Sequence, residues 1–420
     1  MEIITQQQTL FSLLAVVCGL ALSIGIGASG VASLMGTAVG GGAISVRQAV
    51  LLAALMEFAG AYLAGGQVTG TVAYRIIDGQ HVALTAHWLV LVMLAALLAA
   101  GGWLLLSSAR GWPVAVSHAL IAALCGAGVA AFDVGAINWL TIVEIGFVWL
   151  LAPVVGTLLA LLLTMSCRRL MFNTARPVVQ AGRWMPLYAF LVGWSVAEMT
   201  VATGLQHVGI RLSGLVGQAL AVVIGLAVAW AARRLIRAVE LGDPFDRDSQ
   251  HAQVERLFLP QLILTGAALA FAQGANEVAL AIGPLAAVLQ IVSTGEVPGP
   301  ASVTPQVLLI GSLGIVAGLA LYGPRVIATV GRRITALTPS RAYCAAVATA
   351  LVTVVASALG LPLATAHVAV GAVIGVGVAR GIGALDWRVI GGIVGAWLST
   401  VPLCALMAVL VLYSLRALFF

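Results

Sequence analysis

Two short segments of this 420-residue chain pair small residues with polar ones in a way that can hold an ion. The first is Gly27-Ala28-Ser29-Gly30, with Ser33 one turn later. The second is Gly274-Ala275-Asn276-Glu277. Where a helix breaks, its free N–H groups carry partial positive charge and suit an oxyanion. The hydroxyl, amide and carboxylate oxygens suit a cation instead. The plainer alternative is that Gly and Ser only allow tight helix contacts. Duplication of the pattern favours function.

Glu277 is the sharpest single residue. A carboxylate inside an apolar run is costly, so it reads as a proton acceptor or part of a cation site. Glu57 ranks next, because it precedes Gly60-Ala61 in the span after the first segment. A second duplicated segment ends in Ser117-His118 in one copy and in Thr365-Ala366-His367 in the other. The hydroxyls of Ser117 and Thr365 can bind the ion, and His118 and His367 can cap a helix or donate into a cavity. A histidine on an apolar face can equally be a hydrogen-bonded core residue.

The elements that position these groups must be membrane helices. The chain is 62% hydrophobic and 8% charged, and its mean hydropathy is +1.12. A soluble enzyme, a nucleic-acid binder and a disordered regulator are excluded. All the positive charges are Arg and lie mostly between apolar stretches, which is a topology signal. The five cysteines are scattered without metal-ligand spacing and read as apolar filler. No ATP-binding loop, HExxH or haem motif is present, so no cofactor is expected and an ion gradient is the energy source. Charge-free runs predict an all-α polytopic membrane protein with about 10–12 transmembrane segments. Ile3 to Val46 is uncharged over about twice the length of one span and rich in Gly, so a broken, re-entrant helix is expected there.

The chain also repeats itself. Gly27 and Gly36 match Gly274 and Gly283. Gly111, Pro113, His118, Gly126 and Pro153 match Gly360, Pro362, His367, Gly375 and Pro402, in order and at nearly constant spacing. Residues 1–170 form a first membrane repeat. Residues 171–258 hold two connecting helices and a polar cytoplasmic loop, and 259–420 form the second repeat. Arginines place 168–183, 233–256 and 332–341 in the cytoplasm. The loop 380–388 has Arg, whereas its counterpart 131–138 has none. The repeats are therefore expected to be inverted, with the site between them at mid-membrane.

At these residues the sequence resembles the PiT-type inorganic phosphate transporter family. That family carries a duplicated GANDVANA-like motif and a duplicated G-x-P-x-S-T-T-H-like motif. Both copies of both stand here, with Glu57-Phe58-Ala59-Gly60-Ala61, Glu255, Phe258 and Gly331-Arg332-Arg333-Ile334-Thr335. The resemblance covers about 20–415. It implies a homodimeric secondary transporter in the bacterial inner membrane, importing a tetrahedral oxyanion with a coupling cation.

The departures bear on the substrate. The family's Asn, Asp and second Asn are Ser29, Gly30 and Ser33 in the first copy. In the second copy they are Asn276, Glu277 and Leu280. The first copy resembles the sulfate permease branch. Phosphate near neutral pH keeps a proton to donate to a carboxylate, and sulfate has none. Losing the carboxylate at Gly30 therefore favours sulfate, with phosphate the alternative. Moving a dianion inward costs about 4.6 kcal/mol per 100 mV, so cations must accompany it. With the amide and carboxylate oxygens thinned out, protons through Glu277 are favoured over sodium near Asn276 and Glu277. A membrane enzyme and a non-transporting anion sensor are the remaining readings. The symmetric duplication argues against the enzyme.

Overall fold

The computed structural model describes residues 7–66, 86–110, 114–201, 214–239, 246–295, 303–330, 337–381 and 385–419, with isolated positions between them. Gly111, Pro113, the segment 331–336 and the side chain of Ser33 lie outside the described residues. The described chain is helical. The helices are α1 (Gln8–Gly40), α2 (Val46–Ala64), α3 (Ala86–Ala109), α4 (Val116–Ala131), α5 (Trp139–Cys167) and α6 (Pro177–Met199). They continue with α7 (Gly214–Arg237), α8 (Arg247–Thr294), α9 (Pro305–Val330), α10 (Pro339–Ala358), α11 (Thr365–Val378) and α12 (Trp387–Phe419). Nine described helices are long and apolar enough to cross a membrane. The set leaves out α6, α4 and α11.

Local sequence sets the helix ends. Ser45 accepts from the Gln48 N–H and the Gln48 side chain returns the bond, which starts α2. Asp246 and Ser249 do the same for α8. These hydrogen bonds hold the exposed Asp246 carboxyl below its usual range. At the far end of α8, Gly295 takes the left-handed conformation (φ 76°) that closes the helix.

Two helix pairs are re-entrant. α4 has 16 residues and α11 has 14, about 24 and 21 Å, against a hydrocarbon core of about 30 Å. Each packs against the helix before it, α4 on α3 and α11 on α10. In the second pair the chain reverses at Gly360 (φ 68°), where the Leu361 N–H donates to the Ala356 carbonyl at 3.0 Å. The residues that lead into α4 and α11, Val114, Ala115, Leu363 and Ala364, are buried in the bundle, whereas Trp112 and Leu359 just before them are exposed.

Taking the α3–α4 hairpin as a unit that does not cross, α1, α2, α5, α6 and α7 are the five helices that precede α8. α8 therefore starts on the face where α1 ends, and the two repeats run in opposite directions. Arg168, Arg237, Arg247, Arg341 and Arg380 all stand on that face.

The repeats are interlaced at four glycines. A Cβ on Gly27 of α1 would run into the Ile315 carbonyl of α9, and one on Gly318 would run into the Ile24 carbonyl. In the other half, Gly274 of α8 lies against the Glu57 carbonyl of α2, and Gly60 lies against the Phe271 carbonyl. Each crossing has a glycine on both helices, three residues from the opposing carbonyl. These contacts also correct the expectation of helix breaks at Gly27–Gly30 and Gly274–Glu277. α1 and α8 continue as helix through both segments. The small residues bring backbones together, and the real breaks are the hairpin tips.

Gly318→Val should therefore destabilise the protein strongly, because backbone rather than a flexible side chain opposes the new atoms. Overpacking costs about 1–3 kcal/mol or more. A thermal melt in detergent should show a clear drop. Gly102→Val meets open space and should show none. Equal melts for the two variants would mean that the crossing yields freely.

Candidate functional site

The site lies where α1, α2 and α8 cross beside the tip of the α10–α11 hairpin. Glu277 and Gln273 are one turn apart on α8 and both are buried. The Gln273 Nε2 donates to Glu277 Oε2 at 3.3 Å. Gly30 of α1 faces both: a Cβ there would collide with the Gln273 amide and stand 3.1 Å from Glu277 Oε2. Glu57 of α2 is 1% exposed and within electrostatic reach of Glu277. The Thr365 hydroxyl, at the start of α11, interacts with Glu277.

Several polar atoms here are buried without a hydrogen-bond partner. They are Glu57 Oε1, Gln273 Oε1 and, at the other hairpin, Ser117 Oγ. Two buried carboxylates within reach of each other are strongly unfavourable unless a cation or proton joins them. The orphaned oxygens are the ligands such a cation needs.

Asn276 has a different task. Its Nδ2 donates to Ser357 Oγ (3.0 Å) and to the Leu361 carbonyl (3.3 Å), and its Oδ1 accepts from the Leu363 N–H (3.3 Å). This side chain fastens the hairpin tip to α8. Ser29, its counterpart, bonds back to Ile26 of its own helix at 3.3 Å. Ala28 and Ala275 are buried spacers at the crossings.

The hairpin helices α4 and α11 begin without a side-chain cap. Their first N–H groups are positive ends inside the bundle. Ser117 and Thr365 stand at these starts. His118 and His367 follow and bring the two halves together: their ring centroids are 4.6 Å apart. His118 Nδ1 bonds the Trp397 carbonyl at 3.4 Å, and His367 Nδ1 bonds the Trp149 carbonyl at the same distance. His118 packs at a tilt against Trp149 (ring centroids 3.9 Å apart) and His367 against Trp397 (3.7 Å). The two halves mirror each other through this cluster.

The structure thus gathers Gly30, Glu57, Glu277 and Thr365, while Gly27, Ala28, Gly274 and Ala275 make the crossings beneath them. Gln273, Trp149 and Trp397 escaped the sequence reading. Gln273 is polar in an apolar run one turn before Glu277. The tryptophans lie just before Pro153 and Pro402, which the repeat does align. Glu144 is no part of the site: it pairs with Arg75 at 3.2 Å, both about half exposed.

The family model described as the phosphate transporter family matches residues 26–408. A Haemophilus influenzae protein, provisionally named a phosphate permease, is 38% identical over the full length of both chains. A chloroplastic inorganic phosphate transporter of Arabidopsis thaliana is 35% identical over 96% of this chain and 71% of its own. A solved structure titled as the sodium-dependent phosphate transporter superposes with a TM-score of 0.88, at 35% identity, over 97% of this chain and 99% of that one. These relatives support phosphate, the alternative, over sulfate.

Gly30 is where the two copies meet. The glycine gives its space to Gln273 and Glu277 of the second copy. The chain is a transporter rather than an enzyme, and it belongs to the phosphate transporter family.

Proposed function

We propose that this protein imports inorganic phosphate across the bacterial cytoplasmic membrane, driven by sodium, and works as a homodimer. The observation that carries the reading is the pairing of an uncapped helix start, at Thr365, with the buried Glu277–Glu57 carboxylates, where Glu57 Oε1 and Gln273 Oε1 have no hydrogen-bond partner. The N–H groups and hydroxyls at the starts of α4 and α11 take the phosphate oxygens. Glu277 and Glu57 take sodium, or accept the proton that phosphate still carries. Sulfate has no proton to give, so the same carboxylates repel it. The name of the structural relative supports sodium as the coupling ion. More than two sodium ions per dianion give net inward positive charge. The two hairpins enter from opposite faces, and opening one at a time gives alternating access.

The test is radiolabelled phosphate uptake into proteoliposomes under an inward sodium gradient, an inward proton gradient or neither. We expect accumulation with sodium that excess sulfate leaves unchanged. Accumulation with protons alone would assign the carboxylates to a proton relay. Uptake blocked by sulfate would restore sulfate as the substrate.

A further inference from the structure

A second site lies away from the carboxylates, on the arginine-rich face. A cavity of about 300 Å³ opens between the end of α5, the start of α8 and the base of the α10–α11 hairpin. Arg168, Arg341 and Arg380 line it, with His251, Glu255 and Ser340. The fourteen residues of α11, about 21 Å, separate it from Thr365.

Its charges do not balance. Arg341 is within electrostatic reach of Arg380, Arg168 and Glu255. Glu255 is the one carboxylate, and both its oxygens are engaged: Oε2 accepts from the Ser340 N–H at 2.7 Å and Oε1 from the Ser340 hydroxyl at 2.8 Å. Arg168 spends one Nη1 bond on the Ala379 carbonyl at 3.0 Å. None of the three guanidiniums makes an ion pair among the described residues. Three like charges share one cavity with a single occupied carboxylate, and a bound anion relieves their repulsion.

The surroundings favour a phosphate-bearing anion. Guanidinium forks match phosphate oxygens two at a time. The exposed ridge of Leu158, Leu162 and Met165 on α5 runs one turn at a time up to Arg168. Such a ridge can carry an acyl chain whose headgroup sits among the arginines. Basic pockets between membrane helices on the cytoplasmic side hold anionic headgroups.

We propose that this cavity binds a phosphate group, either the diester of an anionic lipid or free inorganic phosphate, and that the bound group clamps the base of the α10–α11 hairpin to α5. The proposal is independent of what the carboxylate site transports.

The comparison is between the full-length protein and its R341Q/R380Q variant, both purified in neutral detergent. Native mass spectrometry with added phosphatidylglycerol tests the lipid source. Equilibrium dialysis with radiolabelled inorganic phosphate tests the free ion. One phosphatidylglycerol per chain lost in the variant supports the headgroup. One bound phosphate per chain lost in the variant supports the free ion, whether or not a second phosphate occupies the carboxylate site. Equal binding by both proteins in both assays overturns the proposal, as does an equal loss in R237Q, which alters the same face outside the cavity. Arg380 is exposed, so R380Q alone provides the comparison if the double variant does not fold.

Discussion

Glu277→Gln should abolish sodium-driven phosphate uptake while the protein stays folded. The substitution keeps the shape and the contact with Gln273, which bonds Glu277 Oε2 at 3.3 Å. It removes the charge that the cation needs, in a pocket where Glu57 Oε1 and Gln273 Oε1 have no other partner. Losing a charged ligand costs roughly 3 kcal/mol, or about a hundredfold in rate at fixed sodium. Initial uptake rates across a sodium titration would measure it, with a thermal melt as the folding control. Rates within a factor of about two of wild type would remove Glu277 from the cation site. Glu57→Gln should follow in the same direction. Its counterpart at the α1–α9 crossing is Ile315, so the second half offers no replacement carboxylate.

The second large effect is expected at Asn276. Leu fills similar space but makes none of the three bonds to Ser357, Leu361 and Leu363. The Leu363 N–H and the Leu361 carbonyl would then be left without this partner at the hairpin tip. Each unsatisfied buried group costs about 1–3 kcal/mol, so the tip should loosen by several kcal/mol. We expect Asn276→Leu to raise amide exchange across 359–366 and to weaken phosphate binding at least tenfold. Exchange should stay unchanged in α5 and α12. Wild-type exchange at the tip would show that other contacts hold the hairpin.

Much of this architecture was legible in the residues themselves. Apolar runs with sparse arginine gave the all-helical membrane class, because only a bilayer tolerates that composition. The duplicated His landmarks meet in space, His118 against His367. The break points were misplaced for a definite reason. Glycine at Gly27 and Gly274 weakens an isolated helix, but here it permits contact with the Ile315 and Glu57 carbonyls, and that packing keeps the helix continuous. A single sequence does not reveal which partner a glycine will meet. The same limit applies at Gly30: Glu277 from the other half approaches that spot, and contact between distant segments carries no local signature. The relatives, rather than this geometry, weigh against sulfate. Asn276 read as a ligand because amides bind ions. Its actual partners lie in the hairpin tip, far along the chain.

The four-glycine interlacing has a consequence for how the protein is made. α1 packs on α3 of its own half, but it also rests on α9, and α2 rests on α8, so these two crossings form only after the later half has been synthesised. At ribosomal rates that wait is on the order of tens of seconds. During it, the first five helices sit in the bilayer with the carbonyls of Ile24 and Glu57 facing nothing that belongs there. The amino-terminal half cannot be a finished unit, and a ribosome stalled midway leaves a substrate for membrane quality control. Two separately encoded halves would have to be inserted together, in opposite orientations, before either became durable.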